Sequence, residues 1–132
     1  MLPTLNDGDL ILISKIKAPK TGSLVLLKMP NGNGTLIVKR LLGIESDELT
    51  FQNGRLSRNG VLLQEDYIFG GGSSGSSDNT SWKIKRGHCL VLSDNRLEIY
   101  SSSDSRTFGQ IPTSSLMGSL IMRLYPSPKL YS

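Results

Sequence analysis

The feature that most constrains the fold of this chain is how often turn signals interrupt short apolar runs. Asn-Gly pairs occur within residues 31–34, 53–54 and 59–60, and β-type stretches flank each of them. Such a pair favours a tight β-hairpin, because both of its residues tolerate the positive φ that the turn needs. Helical periodicity is absent from residues 45–68. The sequence therefore predicts an all-β core of antiparallel sheets and hairpins with little helix.

The remaining strands are predicted around a glycine-serine segment. Residues 70–81, GGGSSGSSDNTS, contain no apolar side chain and are expected to form a flexible loop. Residues 82–92 predict a pair of strands that turn at Gly87. Residues 118–126 predict a last strand, after a short helical turn for which Thr113 is a candidate cap.

Length and composition limit the kinds of protein this chain can be. Its 132 residues fit one domain with a real core. The longest apolar runs are far shorter than the roughly 20 residues that cross a bilayer, so no transmembrane segment is expected in the chain. A single cysteine, Cys89, beside a single histidine, His88, excludes an internal disulfide and a zinc site. The net charge of +4 comes from basic residues that do not alternate with aromatic residues, which argues against nucleic-acid binding.

Two adjacent cations, Lys39 and Arg40, interrupt the apolar stretch at residues 36–44. Successive strand residues alternate between faces, so one of the two is expected to point inward. A lysine held among apolar side chains loses hydration, which favours the neutral amine and makes Lys39 a candidate base. The other interpretation is an edge charge or a lysine whose ammonium reaches solvent. These residues alone leave both interpretations open.

A polar segment, RLEIYSSSDSRTFGQIP at residues 96–112, is the second candidate site. Polar loops between buried strands often carry function, and this one contains an aspartate, several serines and an arginine. The same composition fits a solvated serine-rich loop.

Four blocks of the chain, in the same order, resemble the type I signal peptidase family of serine proteases, which has bacterial and mitochondrial inner-membrane members. MLPTLNDGD resembles the family's Ser-Met-x-Pro-Thr-Leu and Gly-Asp segment from its second residue onward. GSLVLLKMP is similar to the strand Gly-Asp-Ile-Val-Val-Phe-Lys-x-Pro, with Ser23 in place of aspartate. VKRLLGIESD resembles the block with the catalytic Lys-Arg pair. LSDNRLEIYSSSDSRTFGQIP resembles Gly-Asp-Asn-Arg followed by Ser-x-Asp-Ser-Arg, aromatic-Gly and Pro.

The resemblance implies a Ser–Lys dyad that needs no cofactor and no metal. Lys39 would act as the general base that takes the proton of a serine hydroxyl. Ser102 matches the first serine of the Ser-x-Asp-Ser-Arg block and would orient the Lys39 amine. Asp104 and Arg106 would form an ion pair that braces the site.

The resemblance also implies the partners. A peptide or preprotein substrate would lie as an extended strand beside the Lys39 strand, with small side chains in shallow pockets lined by Leu5 and Val38. Membrane attachment is expected through an anchor that precedes Met1, on the trans side of a bacterial plasma membrane or of the mitochondrial inner membrane. A heteromer with a paralogue is a further expectation.

The nucleophile departs from the family pattern. In the family, the nucleophilic serine directly precedes the methionine that corresponds to Met1, so the chain as given lacks it. Three explanations compete: a truncation or late start, a loss of catalysis, or another hydroxyl, such as that of Thr4, in the same role. Ser93, where the family usually has glycine, and Glu45-Ser46, where it has Pro-Gly, are further departures that loosen the site or only reshape loops.

The leading hypothesis is a serine endopeptidase that removes targeting or leader peptides after small residues. One alternative is a short maturation protease dedicated to a single partner. Another is a catalytically inactive family member that binds peptides or supports a paralogue. The nucleotide sequence upstream of Met1 discriminates among them, because the anchored enzyme requires a serine codon there, preceded by codons for about 20 apolar residues.

Overall fold

The computed structural model of the chain describes residues 1, 4–16, 18–30, 32, 34–68, 80–96 and 104–131. Within these ranges the chain is mostly antiparallel β-sheet with little helix, which confirms the predicted fold class. The strands are β1 (Leu10–Ser14), β2 (Leu24–Lys28), β3 (Leu36–Gly43), β4 (Glu48–Gln52), β5 (Arg55–Arg58), β6 (Val61–Leu62), β7 (Thr80–Lys83), β8 (His88–Leu92), β9 (Ile111–Pro112), β10 (Leu116–Tyr125) and β11 (Lys129–Leu130). The helical elements are α1 (Ser105–Phe108) and a 3₁₀ turn (Thr113–Ser115).

The first sheet contains the strand that carries Lys39. In the described part of the chain it has seven strands, in the order β1-β10-β2-β3-β8-β9, with β11 added to β10. β2 and β3 form a hairpin, which is closed by a backbone hydrogen bond of 2.8 Å from the Met29 N–H to the Thr35 carbonyl. This confirms the hairpin predicted from the NGNG segment. β3 therefore lies in the middle of the sheet, between β2 and β8.

The second sheet is a meander of short hairpins. Among the described residues it has four strands, in the order β6-β5-β4-β7. Asn53 and Gly54, with φ of 54° and 76°, join β4 to β5; Asn59 and Gly60, with φ of 52° and 82°, join β5 to β6. Positive φ at both central residues is the turn geometry that Asn-Gly pairs accept most readily. Both hairpins predicted from these pairs are confirmed.

Both strands predicted around Gly87 exist, but the prediction that they pair with each other is wrong. β7 pairs with β4 in the second sheet, whereas β8 pairs with β3 and β9 in the first. Four of the five β8 residues are buried, so β8 occupies a position between two strands instead of half of an exposed hairpin. Most of the predicted flexible loop at residues 70–81 lies outside the described residues, and its last two residues, Thr80 and Ser81, begin β7.

The core is arranged by the alternation of side chains along β3 and β8. Leu42 and Leu90 face the second sheet and join a cluster shared by the two sheets, which also contains Leu49, Phe51, Leu56, Ile84 and Leu92. Leu41 and Val91, one position away, face the opposite side and join the cluster of Val25, Leu27, Cys89 and Ile111. Both faces of the first sheet are therefore covered near its centre, where the Lys39 strand lies.

The short helical elements lie at the carboxyl-terminal end of the polar segment. Asp104 caps α1 by accepting a hydrogen bond from the Arg106 backbone N–H. The 3₁₀ turn forms where a short helical turn was predicted, but the Thr113 side chain makes no cap hydrogen bond, and Pro112 occupies the cap position. None of the helices in the described residues has the length and apolar character required to traverse a bilayer.

Candidate active site

Lys39 is buried within the β3 strand. Only 8% of the residue is exposed, and its Nζ donates a hydrogen bond of 2.9 Å to the Ser93 Oγ. The interpretation of Lys39 as an exposed edge charge therefore does not apply. Removal of an amine from water disfavours its charged form.

A groove borders Lys39 along the amino-terminal half of β3. Its volume is about 660 Å³, and its described lining includes Met1, Leu5, Val38 and Lys39. The two residues predicted to form substrate pockets, Leu5 and Val38, thus share one groove with the predicted base. Acidic and polar residues of the loop at residues 6–9 line the same groove.

The edge of β3 that borders this groove is not used by the neighbouring strand of the sheet. Residues 36–40 pair with β2 on one side, and the ladder from β3 to β8 begins only at Arg40. Between Leu36 and Val38, the described strands supply no second partner to β3. An extended peptide can therefore form backbone hydrogen bonds with this edge.

The Arg40 side chain extends from the face of β3 opposite to that of Lys39 and binds Asp94. Its Nε and Nη2 each donate a hydrogen bond of 2.8 Å to the Asp94 carboxylate, and its Nη1 donates to the Gly22 carbonyl at 2.7 Å. The guanidinium also lies over the Tyr67 ring, 3.8 Å from its centroid. The Thr4 hydroxyl donates to the same Asp94 carboxylate, so this hydroxyl binds Asp94 and not the Lys39 amine.

Asp104 and Arg106 form the ion pair that the resemblance implied, with 2.8 Å between the Arg106 Nη2 and the Asp104 Oδ2. The Asp104 carboxylate also accepts the backbone N–H of Ser93 at 2.9 Å. The Arg106 Nη1 donates to the Arg96 carbonyl at 2.9 Å. This pair therefore fixes the backbone of residues 93–96, the loop directly behind Lys39. Ser102, the residue expected to orient Lys39, lies outside the described residues.

The loop at residues 93–96 lies in the block that resembles Gly-Asp-Asn-Arg, but the resemblance gave Arg96 no role. Arg96 is 1% exposed; its Nε donates to the Ser93 carbonyl at 2.6 Å, and its Nη2 pairs with the Glu65 Oε2 at 2.6 Å. The Tyr67 hydroxyl donates to the same Glu65 carboxylate at 2.6 Å. The only signal for this loop in the sequence was the Asp-Asn-Arg motif, and no signal pointed to Glu65 or Tyr67.

The Tyr67 hydroxyl is held in its protonated form. Burial is the main cause, and the hydrogen bond to the Glu65 carboxylate is the next; together they raise the pKa of Tyr67 well above its usual value. The hydroxyl therefore remains a donor to Glu65 throughout the physiological pH range.

Comparisons with known proteins match the chain to one family. Residues 1–125 match the profile of the family described as "Signal peptidase, peptidase S26". The mitochondrial ATP-independent inner membrane protease subunit 1a of Arabidopsis thaliana is 33% identical over 131 residues, which cover 96% of this chain and 66% of the relative. Signal peptidase IB of Staphylococcus aureus is 34% identical over 145 residues, covering 96% of this chain and 73% of the relative.

A solved structure matches the fold as well. A signal peptidase I from Enterococcus faecalis superposes with a TM-score of 0.68 at 28% identity, covering 80% of this chain and 98% of that one. The chain spans 66% of the length of the plant relative, just under two thirds.

Proposed function

The chain belongs to the signal peptidase family, peptidase S26, and on that premise we propose that it is the catalytic core of a serine endopeptidase that cleaves targeting or leader peptides after small residues. The observation that carries the proposal is Lys39: a buried amine, hydrogen-bonded to Ser93, at the border of a groove with an open strand edge.

In the proposed reaction, Lys39 is the general base of a Ser–Lys dyad. Its neutral amine takes the proton of the nucleophilic hydroxyl, whose oxygen forms a bond to the scissile carbonyl carbon. The C–N bond then breaks as the leaving amine receives the proton, and water hydrolyses the acyl-enzyme ester. Ser102 assists by orienting the amine.

The nucleophile is proposed to be a serine directly before Met1 in the full-length protein. Met1 lines the same groove as Lys39, which supports a nucleophile at the residue attached to its amino side. Thr4 is a poor substitute, because its hydroxyl donates to the Asp94 carboxylate.

The substrate is proposed to add as a strand to the open edge of β3. Backbone hydrogen bonds to Leu36–Val38 would hold it, as in other strand-addition complexes. Its small side chains would enter pockets formed by Leu5 and Val38, which pack in one cluster with Leu24 and Leu120 and are therefore held in place. Asp104 and Arg106 act at a distance, by fixing the loop that supports Lys39.

A second candidate function is a subunit of a heteromeric protease, either active or supporting an active paralogue. The name of the plant relative, subunit 1a of an inner membrane protease, favours this alternative. A third candidate function is a short maturation protease dedicated to one partner. In the anchored forms, the enzyme works at the outer face of a bacterial plasma membrane or at the mitochondrial inner membrane.

The test is peptide cleavage by a protein that carries a serine directly before Met1. We expect it to cut a peptide with small residues before the scissile bond, and the Lys39→Ala variant to be slower by at least about a thousandfold. Lys83→Ala, which removes an exposed lysine of the second sheet, is the matched control and should keep full activity. Equal rates for Lys39→Ala and its parent would eliminate the dyad.

The pH profile adds a second criterion. Activity should rise as the Lys39 amine loses its proton, because only the neutral amine accepts one. A profile that instead follows a group titrating like His88 would exclude the lysine mechanism.

A further inference from the structure

Ser93 is fixed in the structure on both sides of its Cα. Its backbone N–H donates to the Asp104 carboxylate at 2.9 Å, and its carbonyl accepts the Arg96 Nε at 2.6 Å. Its side chain is 2% exposed, and its Oγ lies 2.9 Å from the Lys39 Nζ. The backbone on both sides of Ser93 is therefore fixed, and its buried hydroxyl contacts the amine.

We propose that Ser93 is a positioning residue for Lys39, whose hydroxyl holds one N–H of the amine so that the lone pair of the neutral base faces the groove. The proposal rests on the proposed function of Lys39 as a general base. A neutral amine has two N–H donors and one lone pair, and proton transfer requires the lone pair to face the nucleophile. An acceptor behind the amine that binds an N–H excludes the orientation in which the lone pair points at Ser93.

Ser93 does not act as the nucleophile itself, although its hydroxyl contacts the base. It is not among the described residues that line the groove, and a substrate carbonyl in the groove has no access to an oxygen this buried. The backbone bonds to Asp104 and Arg96 also tie it to the loop behind Lys39.

The family usually has glycine at the position of Ser93, and glycine offers no hydroxyl. The departure noted in the sequence thus adds a contact to the base. Ser93 has no positive φ that would require glycine, so substitutions there test the hydroxyl and not the backbone.

The contact can be tested directly by NMR, without catalysis. In the chain labelled with ¹³C at the lysine ε-carbons, the Lys39 signal is assigned with Lys39→Arg and its titration midpoint is measured. An accepting oxygen stabilises the ammonium form, so we expect Ser93→Ala to lower the midpoint by about one pH unit and Ser93→Thr to restore it. Ser119→Ala, which removes a buried hydroxyl elsewhere in the same sheet, should leave it unchanged. An unchanged Lys39 midpoint in Ser93→Ala would overturn the proposal.

Cleavage by the protein with a serine before Met1 provides the second readout. We expect Ser93→Ala to lower kcat by about tenfold to a hundredfold with KM retained, because orientation and not substrate binding is lost. Loss of cleavage at every pH with an unchanged Lys39 titration would overturn the positioning role. If the parent does not cleave, the proposed function fails, while the titration still decides the contact. Ser93→Gly, which restores the family's usual residue, serves as the second variant if Ser93→Ala does not fold.

Discussion

Single buried hydroxyl groups in this protein contribute differently to stability, according to their partners. The Ser105 Oγ accepts the backbone N–H of Val91 at 2.9 Å inside the core. The Ser119 Oγ is buried and has no hydrogen-bond partner among the described residues. Removal of the Ser105 hydroxyl leaves the buried N–H of Val91 without an acceptor, whereas removal of the Ser119 hydroxyl leaves no other group unpaired.

We therefore expect Ser105→Ala to lower the free energy of unfolding by about 1–3 kcal/mol and Ser119→Ala to be neutral or slightly stabilising. Urea denaturation of both variants measures the difference. The two variants form a matched pair, since each replaces one buried serine. A larger loss for Ser119→Ala than for Ser105→Ala would contradict this assignment.

Cys89 is a second residue whose chemistry follows from burial. It is fully buried in β8, and burial raises the pKa of its thiol from 9.0 to about 11, although a hydrogen bond with Thr113 acts in the opposite direction. A thiol with a pKa near 11 contains about a hundredfold less thiolate at pH 8 than one at 9.0. We expect iodoacetamide to label the native protein at least about a hundredfold more slowly than the protein in urea. Similar rates in both conditions would show that the thiol is accessible.

Among the loops, the segment after β6 braces the site from the second sheet. Its Glu65 pairs with Arg96, and its Tyr67 ring covers the guanidinium of Arg40. Arg40 in turn binds Asp94 of the loop at residues 93–96, and Arg96 binds the Ser93 carbonyl within that loop. The segment after β6 therefore helps to position the loop behind Lys39, although none of its described residues lines the groove.

Removal of the Glu65 carboxylate tests this brace. The Glu65 and Arg96 side chains are only 4% and 1% exposed, so Glu65→Ala leaves a buried guanidinium without its counter-ion. We expect a loss of about 3–5 kcal/mol in the free energy of unfolding. Glu48→Ala, at an exposed glutamate of β4, should change stability by less than about 0.5 kcal/mol. If Glu65→Ala and Glu48→Ala change the free energy of unfolding equally, the Glu65–Arg96 pair does not contribute to stability.

The local elements were predictable because their determinants are local. Asn53-Gly54 and Asn59-Gly60 specify their hairpins within two residues, and the structure has both turns with positive φ. The pairing of β7 and β8 was not predictable in the same way. A turn at Gly87 is compatible with a hairpin, but the burial of β8 between β3 and β9 depends on strands distant in sequence.

At the scale of the whole molecule, the two sheets share one core. Leu90 and Leu92 from the first sheet contact Leu49 and Phe51 from the second in a single cluster, and Trp82 packs against it. Because this cluster covers one face of each sheet, unfolding of either sheet would expose the apolar side chains of the other to water. The sheets should therefore unfold together.

Leu90→Ala probes this coupling, since Leu90 is fully buried at the junction. We expect a loss of about 2–5 kcal/mol in the free energy of unfolding. The single tryptophan, Trp82, reports on the second sheet by fluorescence, and amide exchange reports on the first; both midpoints should fall together. Val61→Ala, at a position 66% exposed on the edge of the second sheet, is the control. A Trp82 midpoint that does not move while the first sheet loses protection would show independent units.

The candidate site was predictable to the extent that motifs mark it. Lys39, Leu5 and Val38 were named from the sequence, and the structure brings them to one groove. The side chains that bind the supporting loop at residues 93–96 could not be predicted from the sequence. Arg40 lies 54 positions from its partner Asp94, and Glu65 lies 31 positions from its partner Arg96. Contacts over such separations leave no periodic or local pattern in one sequence.

Under the proposed function, the open edge of β3 would have a consequence for the evolution of the substrates. A peptide held there would be recognised mainly through its main chain, which is the same for every amino acid. Mutations along most of a leader sequence would then not change its binding to the enzyme. Only the positions that face Leu5 and Val38 would be under selection for small side chains. Leaders of unrelated proteins could then diverge in sequence while one protease of this kind still processed all of them.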